Sequence, residues 1–424
     1  MWTVCTSLNL TANGYFYLFF CIFSMRWFGF GFNGFGQLIA HVQTPTEDKT
    51  DAANEIKVIC PTLVNKSVKK CICGLKASAE LKQIRASWSR RLSLLEDGCG
   101  VFLDGFKGVS SSSNKCCGFV EQSRGCKDAA NSESQFTLAF QDRIEVWDFE
   151  RSENGPVWSV DIRPSVETSD SLTKLPLVPE GYIALKPPFY RPLSPHLQAK
   201  SLALGPEHVI LLSATGAVYT WGQGSHGQLG HGSLTSEEEP RAVEALWGVP
   251  MKAVSAGGWH CCCISATADL YVWGWNEIGQ LGLPSRGVRK AQQQNSHDRA
   301  LQSQDPNVKP GDEPTQTEDD KEVFISIQAF PALLDLNPQC EIKAVSCGSR
   351  HTAAVTSESS LIMSMYFSPG EYGQLGHQNV LSSDEPQCVE FFKERHLHVT
   401  DIVCGAWNTF VAVVKQEEMQ KSPL

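Results

Sequence analysis

The sequence predicts an all-β protein, a single β-propeller of six or seven four-stranded blades, closed by pairing N- and C-terminal strands in one blade. Two observations predict this fold. A segment of roughly fifty residues recurs along the chain, and the two chain ends resemble complementary halves of that segment. Repeats of this period with short β-rich runs are typical of propeller blades, which pack radially and leave few strand edges exposed.

Two copies of the repeat align directly, residues 201–230 with residues 253–282, at an offset of 52 residues. In both copies a tryptophan follows a histidine by thirteen residues, and both copies end in Gly-Gln-Leu-Gly. The aligned pairs are His208 with His260, Trp221 with Trp273, Gly227 with Gly279, and Gly230 with Gly282. Short β-rich runs between turn residues predict antiparallel strands joined by tight turns.

A third copy contains His351 and closes with Gly373 and Gly376. We assign Phe367 to the tryptophan position of this copy, sixteen residues after the histidine instead of thirteen. A proline follows at position 369, and proline cannot donate a hydrogen bond to a central strand. The run from residue 361 to residue 367 is therefore predicted to be poorly packed.

The chain ends complement each other. Residues 399–415 resemble the first half of a repeat, with Asn408 at the histidine position, and residues 27–38 resemble the second half. Phe30 then stands at the tryptophan position, and Asn33 at the position of Asn276. We therefore expect one blade to be assembled from both termini.

These repeats define the expected boundaries. The propeller spans residues 25–415, with clear repeats at 198–249, at 250–284 plus 324–336, at 340–392, and at 399–415 with 27–38. Degenerate strands at residues 83–103 and 135–148 predict two eroded blades, which makes six in total and leaves a seventh unassigned.

Two segments fall outside the repeats. Residues 1–24 contain an apolar run too short for a membrane span, and we regard them as a doubtful N-terminal extension with Met25 as the natural start. Residues 285–323 lack apolar periodicity and are rich in Gln, Asp, Pro and Ser, which predicts a disordered loop insertion. A regulated tail for a partner is the alternative for this loop.

The recurring pieces resemble the repeats of the regulator of chromosome condensation family. They include Gly257-Gly-Trp-His260, the Tyr-x-Trp-Gly strand ending and Gly-Gln-Leu-Gly. In that family, the resemblance implies, the founding member promotes nucleotide exchange on a Ran-type nuclear GTPase. A smaller subgroup, which segments such as Pro188–Pro192 resemble, is associated with a jumonji-type histone lysine demethylase or hydroxylase and with chromosome segregation. The resemblance thus implies a monomer in the nucleus, chromosome-associated, with some protein in the cytoplasm.

Composition restricts the partners. The formal net charge of −10 disfavours direct, sequence-specific binding of nucleic acid, so a role in chromatin would run through protein partners. We expect histones to be contacted indirectly, through such a partner. The basic stretch from Lys66 to Arg91 is interpreted as a solvated loop. The sixteen cysteines lie mostly in apolar runs, which favours a reducing compartment, and nothing indicates a membrane protein.

Catalytic chemistry is not indicated. The sequence has no Ser-His-Asp order, HExxH motif or P-loop, so we predict no catalytic residue, no cofactor and no metal. The three repeat histidines would be spaced around the ring and are interpreted as structural. Trp221, Trp273 and Trp275 are interpreted as core residues.

The proline-rich segment 175–192 is the main feature outside the repeats. Its prolines preset an extended backbone, as in peptides that dock into grooves. We predict partner-binding residues here, namely Pro187, Pro188, Phe189, Tyr190 and Arg191. The alternative is an extended strap packed along the side of the propeller. The sequence as a whole predicts a non-catalytic scaffold for a jumonji-type oxygenase, with guanine-nucleotide exchange on a Ran-type GTPase as the alternative.

Overall fold

A computed structural model describes most of the chain. The described residues are 8–10, 16–18, 25–38, 57–64, 81–96, 100–106, 115–162, 174–286, 323–336, 340–365, 372–378 and 383–415. Most of the N-terminal segment, residues 65–80 of the basic stretch, residues 287–322 of the predicted loop and residues 366–371 lie outside this set.

Seven antiparallel sheets form the ring, and we number the blades in chain order, with the closing blade first. The closing blade contains β3 (Arg26–Phe32), β4 (Lys57–Leu63), β28 (Leu397–Cys404) and β29 (Asn408–Lys415). Blade 2 contains β5 (Leu81–Ala86), β6 (Arg90–Leu95), β7 (Val101–Phe106) and β8 (Lys115–Val120). Blade 3 contains β9 (Asp128–Asn131), β10 (Gln135–Ala139), β11 (Arg143–Asp148) and β12 (Trp158–Asp161).

The other four blades follow in order along the chain. Blade 4 contains β13 (Leu177–Val178), β14 (Gly181–Ile183) and β15 (Tyr190–Pro192). Blade 5 contains β16 (Ala199–Leu204), β17 (His208–Ser213), β18 (Val218–Gly222) and β19 (Glu237–Ala242). Blade 6 contains β20 (Met251–Ala256), β21 (His260–Ser265), β22 (Leu270–Trp275) and β23 (Ile327–Leu333). Blade 7 contains β24 (Ile342–Cys347), β25 (His351–Thr356), β26 (Leu361–Met365) and β27 (Ser383–Cys388).

Little else is regular. The helix α1 (Glu390–Glu394) links blade 7 to the closing blade, and short 3-10 turns occupy other connections, such as Glu244–Leu246. The strands β1 (Leu8–Leu10) and β2 (Phe16–Leu18) pair with each other in a separate two-stranded sheet.

The core lies between the blades. The described residues form seven buried apolar clusters, and each cluster joins side chains of two neighbouring blades. The cluster between blade 7 and the closing blade contains Phe30, Val355 and Val411, all buried. Because every blade packs on both neighbours, the ring closes and leaves its interior sheet faces dry.

The predicted propeller and its closure are therefore confirmed. β29 pairs with β3 so that Asn408 lies opposite Gly31, the register in which His260 lies opposite Gly274. Phe30 thus occupies the position of Trp273, as predicted. The structure adds β4 to this blade, beyond the N-terminal segment predicted from the repeat.

The seventh blade comes from the proline-rich segment. Residues 177–192 fold into the three strands of blade 4, whose side chains pack on blades 3 and 5. This segment lacks the repeat's histidine, tryptophan and Gly-Gln-Leu-Gly loop, so its sequence did not reveal the blade.

Two further predictions need correction. β25 pairs with β26 so that His351 lies opposite Met365, which places Ser364, not Phe367, at the tryptophan position. Leu361, at the start of that strand, is buried in the core. In the basic stretch, Arg90 and Arg91 are buried within β6 and do not belong to a solvated loop.

Candidate binding face

Two of the three repeat histidines link adjacent blades. His260 lies with Nε2 at 3.0 Å from Thr352 Oγ1, and His351 Nε2 lies 3.0 Å from Thr409 Oγ1. The hydroxyl of Thr352 donates to the carbonyl oxygen of Gln280, so the imidazole of His260 must donate to Thr352. Each histidine is thus held as the Nε2–H tautomer.

Burial keeps the imidazoles of His208 and His351 neutral. Desolvation, followed by the nearby His260, lowers the pKa of His208 to about 4 and that of His351 to about 3. For His208 the corresponding bond is missing. The residue of blade 6 that corresponds to Thr352 of blade 7 is Cys261, which has no hydroxyl. His260 and His351 therefore hold adjacent blades together, whereas the His208 imidazole has no hydrogen-bond partner among the described residues. All three are buried and offer no base at the surface.

The Gly-Gln-Leu-Gly loops form the second link between blades. Gly227, Gly230, Gly279, Gly282, Gly373 and Gly376 all have φ between +68° and +78°, a region that side chains rarely adopt. The loops bury their leucines and turn the glutamine carbonyls toward the next blade. Trp273 Nε1 donates to Gln228 O at 2.9 Å, and Thr409 Oγ1 donates to Gln374 O at 3.0 Å. Trp221 and Trp273 are buried, as the core interpretation expects.

One cluster in the described chain brings metal-ligating atoms together. A ring nitrogen of His260 and the Sγ atoms of Cys262 and Cys347 lie within 4.8 Å of one another, all buried. The two sulfur atoms touch at 3.4 Å, and His260 already bonds to Thr352. This packing between blades gives each group a structural role, and the absence of a metal stays a prediction.

An arc of aromatic and cationic side chains, most of them half-buried, follows one face of the ring. We call it the aromatic arc: Phe32, Phe35, Trp88, Phe106, Phe149, His226, Trp259, Trp275, Arg350, Tyr372 and Trp407. Several of these residues directly precede a repeat histidine or its equivalent, and several directly follow the opposing glycine. Both positions lie at the same end of each blade, so the arc residues share one face of the ring. They come from six consecutive blades: blades 5, 6 and 7, the closing blade, and blades 2 and 3.

The arc is continuous from blade 5 to the closing blade. His226 lies 5.8 Å from Trp259 between ring centroids, and Trp259 packs edge-on to Trp275 at 5.4 Å. The guanidinium of Arg350 lies 5.7 Å from the ring centre of Trp275 and 5.1 Å from that of Trp407. Cation–π attraction therefore bridges blade 6 and the closing blade.

From the closing blade, the arc continues to blade 3. Phe32 packs against Tyr372 at 4.6 Å, and Phe35 contacts Phe106 at 5.5 Å. Beneath them, the buried guanidinium of Arg90 lies 5.4 Å from Phe106 and 4.2 Å from the Phe149 ring. Ring–ring and cation–π contacts therefore hold neighbouring side chains of the arc against one another.

Only part of the predicted proline-rich site remains at the surface. Pro187, Pro188 and Arg191 are exposed, whereas Phe189 is buried in the core between blades 3 and 4. Tyr190 is half-buried and donates its hydroxyl to Glu180 O at 3.1 Å. The two prolines form the turn between β14 and β15, at the end of the blade opposite the arc.

The sequence did carry a signal for the arc. Trp259 and Trp407 precede His260 and Asn408, and Trp275 follows Gly274. Interpreting Trp275 as core was wrong, because it is half-buried on the face, unlike Trp273 two residues earlier. Strand alternation alone does not separate these two, since both lie on the same side of β22.

No helix among the described residues is long and apolar enough to cross a membrane.

Comparison with known proteins supports the fold and the repeats. The family model of the regulator of chromosome condensation (RCC1) repeat matches residues 215–264, 268–355 and 369–412. The chain is 37% identical to RCC1 domain-containing protein 1 of Homo sapiens over 408 residues, which cover 92% of this chain and 97% of the relative. The Mus musculus protein of the same name is also 37% identical, over 412 residues, covering 92% and 98%.

Solved structures resemble the propeller itself. Yeast RCC1 (Prp20), from its complex with Kap60, superposes with a TM-score of 0.63 at 15% identity, covering 94% of this chain and 91% of that one. A structure of Prp20p from Saccharomyces cerevisiae gives 0.62 at 16% identity, covering 94% of both chains. At these identities, the likeness concerns the fold. With the repeat matches and the full-length relatives, it follows that this chain belongs to the regulator of chromosome condensation (RCC1) repeat family.

Proposed function

We propose that this chain is a non-catalytic scaffold that docks a protein partner on the aromatic arc. The observation that carries the proposal is the arc itself, eleven residues that are mostly Trp, Tyr, Phe and Arg and are continuous across six blades. Trp, Tyr and Arg supply much of the binding energy at protein interfaces. Because edge-on ring contacts and cation–π contacts already restrict these side chains, less conformational entropy is lost on binding.

The chemistry of the arc supports binding over catalysis. Its polar groups include Arg350, which is engaged by two indole rings, and His226. Ser225 Oγ lies 2.9 Å from His226 Nδ1, but the two are adjacent in sequence. The described contacts supply no carboxylate to orient that imidazole as a general base.

The proposed partner is a jumonji-type histone lysine demethylase or hydroxylase. This class is taken from the subgroup that the sequence resembles, and the full-length similarity to RCC1 domain-containing proteins supports it. The scaffold would then act in chromatin regulation and chromosome segregation, in the nucleus, and reach histones through its partner. The turn at Pro187 and Pro188, with Arg191, is a second proposed contact.

Affinity measurements with a recombinant jumonji-type oxygenase test both surfaces. Replacing Trp259 and Trp407 by alanine should weaken binding at least about thirtyfold, because one interface hot spot contributes about 2 kcal/mol or more. A second variant replaces Pro187, Pro188 and Arg191 by alanine and keeps the buried Phe189, so that blade 4 still packs. Arg124→Ala, an exposed residue at the end of blade 2 opposite the arc, is the control.

The outcomes separate the parts of the proposal. Weakened binding by the arc variant alone assigns the interface to the arc, and weakened binding by the proline variant adds the second contact. Unchanged binding in the arc variant would overturn the arc as the docking face. A wild-type chain that does not bind the oxygenase would overturn the partner class.

Guanine-nucleotide exchange is the second candidate function. Prp20p, which has this fold, was solved in a study of its binding to Gsp1p and histones. That binding is a property of Prp20p. Release of a fluorescent guanine nucleotide from a Ran-type GTPase, with and without this chain, tests the transfer of that activity. Accelerated release would place exchange above the scaffold role.

A further inference from the structure

A second surface lies on the outer rim of blades 5 and 6. Nine large hydrophobic residues are strongly exposed in the described chain, and six of them fall between residues 234 and 333. Four define what we call the rim patch: Leu234, Trp247, Phe330 and Leu333. The turn Glu244–Leu246, which Trp247 follows, contacts β23, and Phe330 on β23 packs on Gly232 in the loop that carries Leu234. A row of exposed apolar side chains like this departs from the scattered exposure that is normal on a protein surface.

The rim patch is held by fixed backbone. Gly232 N donates to Ala329 O at 3.0 Å, which ties the loop of blade 5 to the outermost strand of blade 6. The Phe330 ring lies directly on Gly232, where an added Cβ would approach it to 2.0 Å. Trp247 is 68% exposed, yet its amide donates to Glu244 O and the adjacent Leu246 is buried.

The rim patch does not favour pairing with a second copy through strand edges. Pro331 lies within β23, and the bond from Gly232 already occupies part of that edge. Proline and a covered edge prevent a strand from extending the sheet. An occupant must therefore bind through side chains.

The charge around the rim patch is negative. Glu238 and Glu239 are exposed on β19, and Glu244 is exposed three residues before Trp247, all on blade 5. The cation on the same strand, Arg241, is paired with Glu237 at 2.6 Å. Uncompensated carboxylates next to apolar side chains favour a ligand that has both cationic and bulky apolar groups.

We propose that the rim patch binds a positively charged peptide segment of another protein, through bulky apolar anchors and flanking Lys or Arg residues. Two members of the rim patch lie at the end of blades 5 and 6 opposite the arc. Leu333 pairs with Tyr271 at one end of β22, whereas Trp275 lies at the other end. Trp247 follows the end of β19 at which Ala242 pairs with Tyr219. A scaffold with both surfaces can hold two proteins at once. The proposal does not depend on which partner occupies the arc.

Fluorescence anisotropy with two short labelled peptides tests this site. One peptide alternates Lys with Phe, and the other alternates Glu with Phe. The full chain should bind the Lys/Phe peptide at least tenfold more tightly. Trp247→Ser, together with Leu333→Ser, should abolish that preference without unfolding, since both side chains are more than half exposed.

Two further variants make the test specific. Replacing Glu238 and Glu239 by lysine should reverse the preference toward the Glu/Phe peptide. Trp259→Ser in the arc should leave rim binding unchanged. Equal binding of both peptides, or wild-type affinity in the rim variant, would overturn the proposal.

Two other occupants would be recognised. A concentration-dependent dimer in sedimentation velocity that disappears in Trp247→Ser would show that a second copy covers the patch, contrary to the proposal. Tighter peptide binding after deletion of residues 287–322 would show that this chain covers its own patch, which would also overturn it.

Discussion

Blades 5 to 7 and blades 2 to 4 share one strand register, but different side chains join them to their neighbouring blades. In blade 6, His260 lies opposite Gly274, and in blade 2, Arg90 lies opposite Gly105. In blade 3, the same positions hold Gln135 and Asp148. The backbone pairing therefore tolerates replacement of the repeat's marker residues, provided that some other bond joins neighbouring blades.

The clearest replacement is in blade 2. At the positions of Cys261 and Trp273, this blade carries Arg91 and Asp104, which form a fully buried ion pair. Arg91 also donates to Leu38 O in the closing blade at 3.1 Å. In the regular blades, a threonine hydroxyl or a tryptophan indole makes the corresponding bond to the loop of the preceding blade. Blade 2 thus keeps a side-chain bond to the preceding blade and changes the group that makes it.

Breaking the ion pair should have the largest effect on stability. Asp104→Ala leaves the Arg91 charge buried without its partner, so we expect the free energy of unfolding to fall by about 3–5 kcal/mol. Urea denaturation followed by near-ultraviolet circular dichroism measures it. The double variant Arg91→Met, Asp104→Leu should recover most of the loss. Wild-type stability in the single variant would show that the pair does not pin blade 2.

The repeat glycine should come next. Gly274 has a φ of +113°, and a Cβ there would lie 2.5 Å from Trp259 O. We expect Gly274→Ala to cost about 3 kcal/mol, from left-handed strain and overpacking together. Gly248 has a φ of +83° with nothing within 4 Å, so Gly248→Ala isolates the strain at about 1 kcal/mol. Equal costs in the same urea titration would contradict the close approach at Gly274.

Removing a threonine hydroxyl that joins two blades should lower the free energy of unfolding by less. Thr409→Val removes the bonds to Gln374 O and His351 Nε2, both buried, for an expected loss of about 1–3 kcal/mol. The exposed Thr235→Val is the control and should change stability by less than about 0.5 kcal/mol. If both variants unfold at the same urea concentration, the regular blades do not depend on this latch.

The last prediction concerns how the free energy of unfolding depends on pH. The folded pKa values of His208 and His351, about 4 and 3, lie below the ordinary histidine value of 6.5. Between these limits the unfolded chain binds more protons, so the free energy of unfolding should fall as pH decreases from 6.5, by up to about 1.4 kcal/mol per pH unit for each histidine. His351→Asn, which copies the residue that the closing blade has at Asn408, should flatten this dependence. An unaltered slope would contradict the buried neutral imidazole.

The same comparison explains how much the sequence could predict. His208, His260 and Gly-Gln-Leu-Gly identified the regular blades because each marker performs a fixed structural task. Blade 4 has none of these markers, and its proline-rich strands resembled a docking peptide. Phe367 was misplaced because an aromatic side chain, not strand pairing, was used to align it.

The arc was missed for a different reason. Its residues are neighbours of the repeat markers, and sequence alone does not distinguish an indole on the face, such as Trp275, from one in the core, such as Trp273. That distinction depends on how the ends of adjacent blades come together. The buried Arg91–Asp104 pair was likewise hidden, because a charged pair in a strand normally indicates a solvated surface.

Hydrogen–deuterium exchange of the full chain, free and bound to a jumonji-type oxygenase, tests the docking face most directly. If the partner docks on the arc, exchange should slow in the loops that carry Trp259, Arg350 and Trp407 in three different blades. Protection confined to the turn at Pro187 and Pro188, with unchanged exchange in those three loops, would contradict the arc as the binding face.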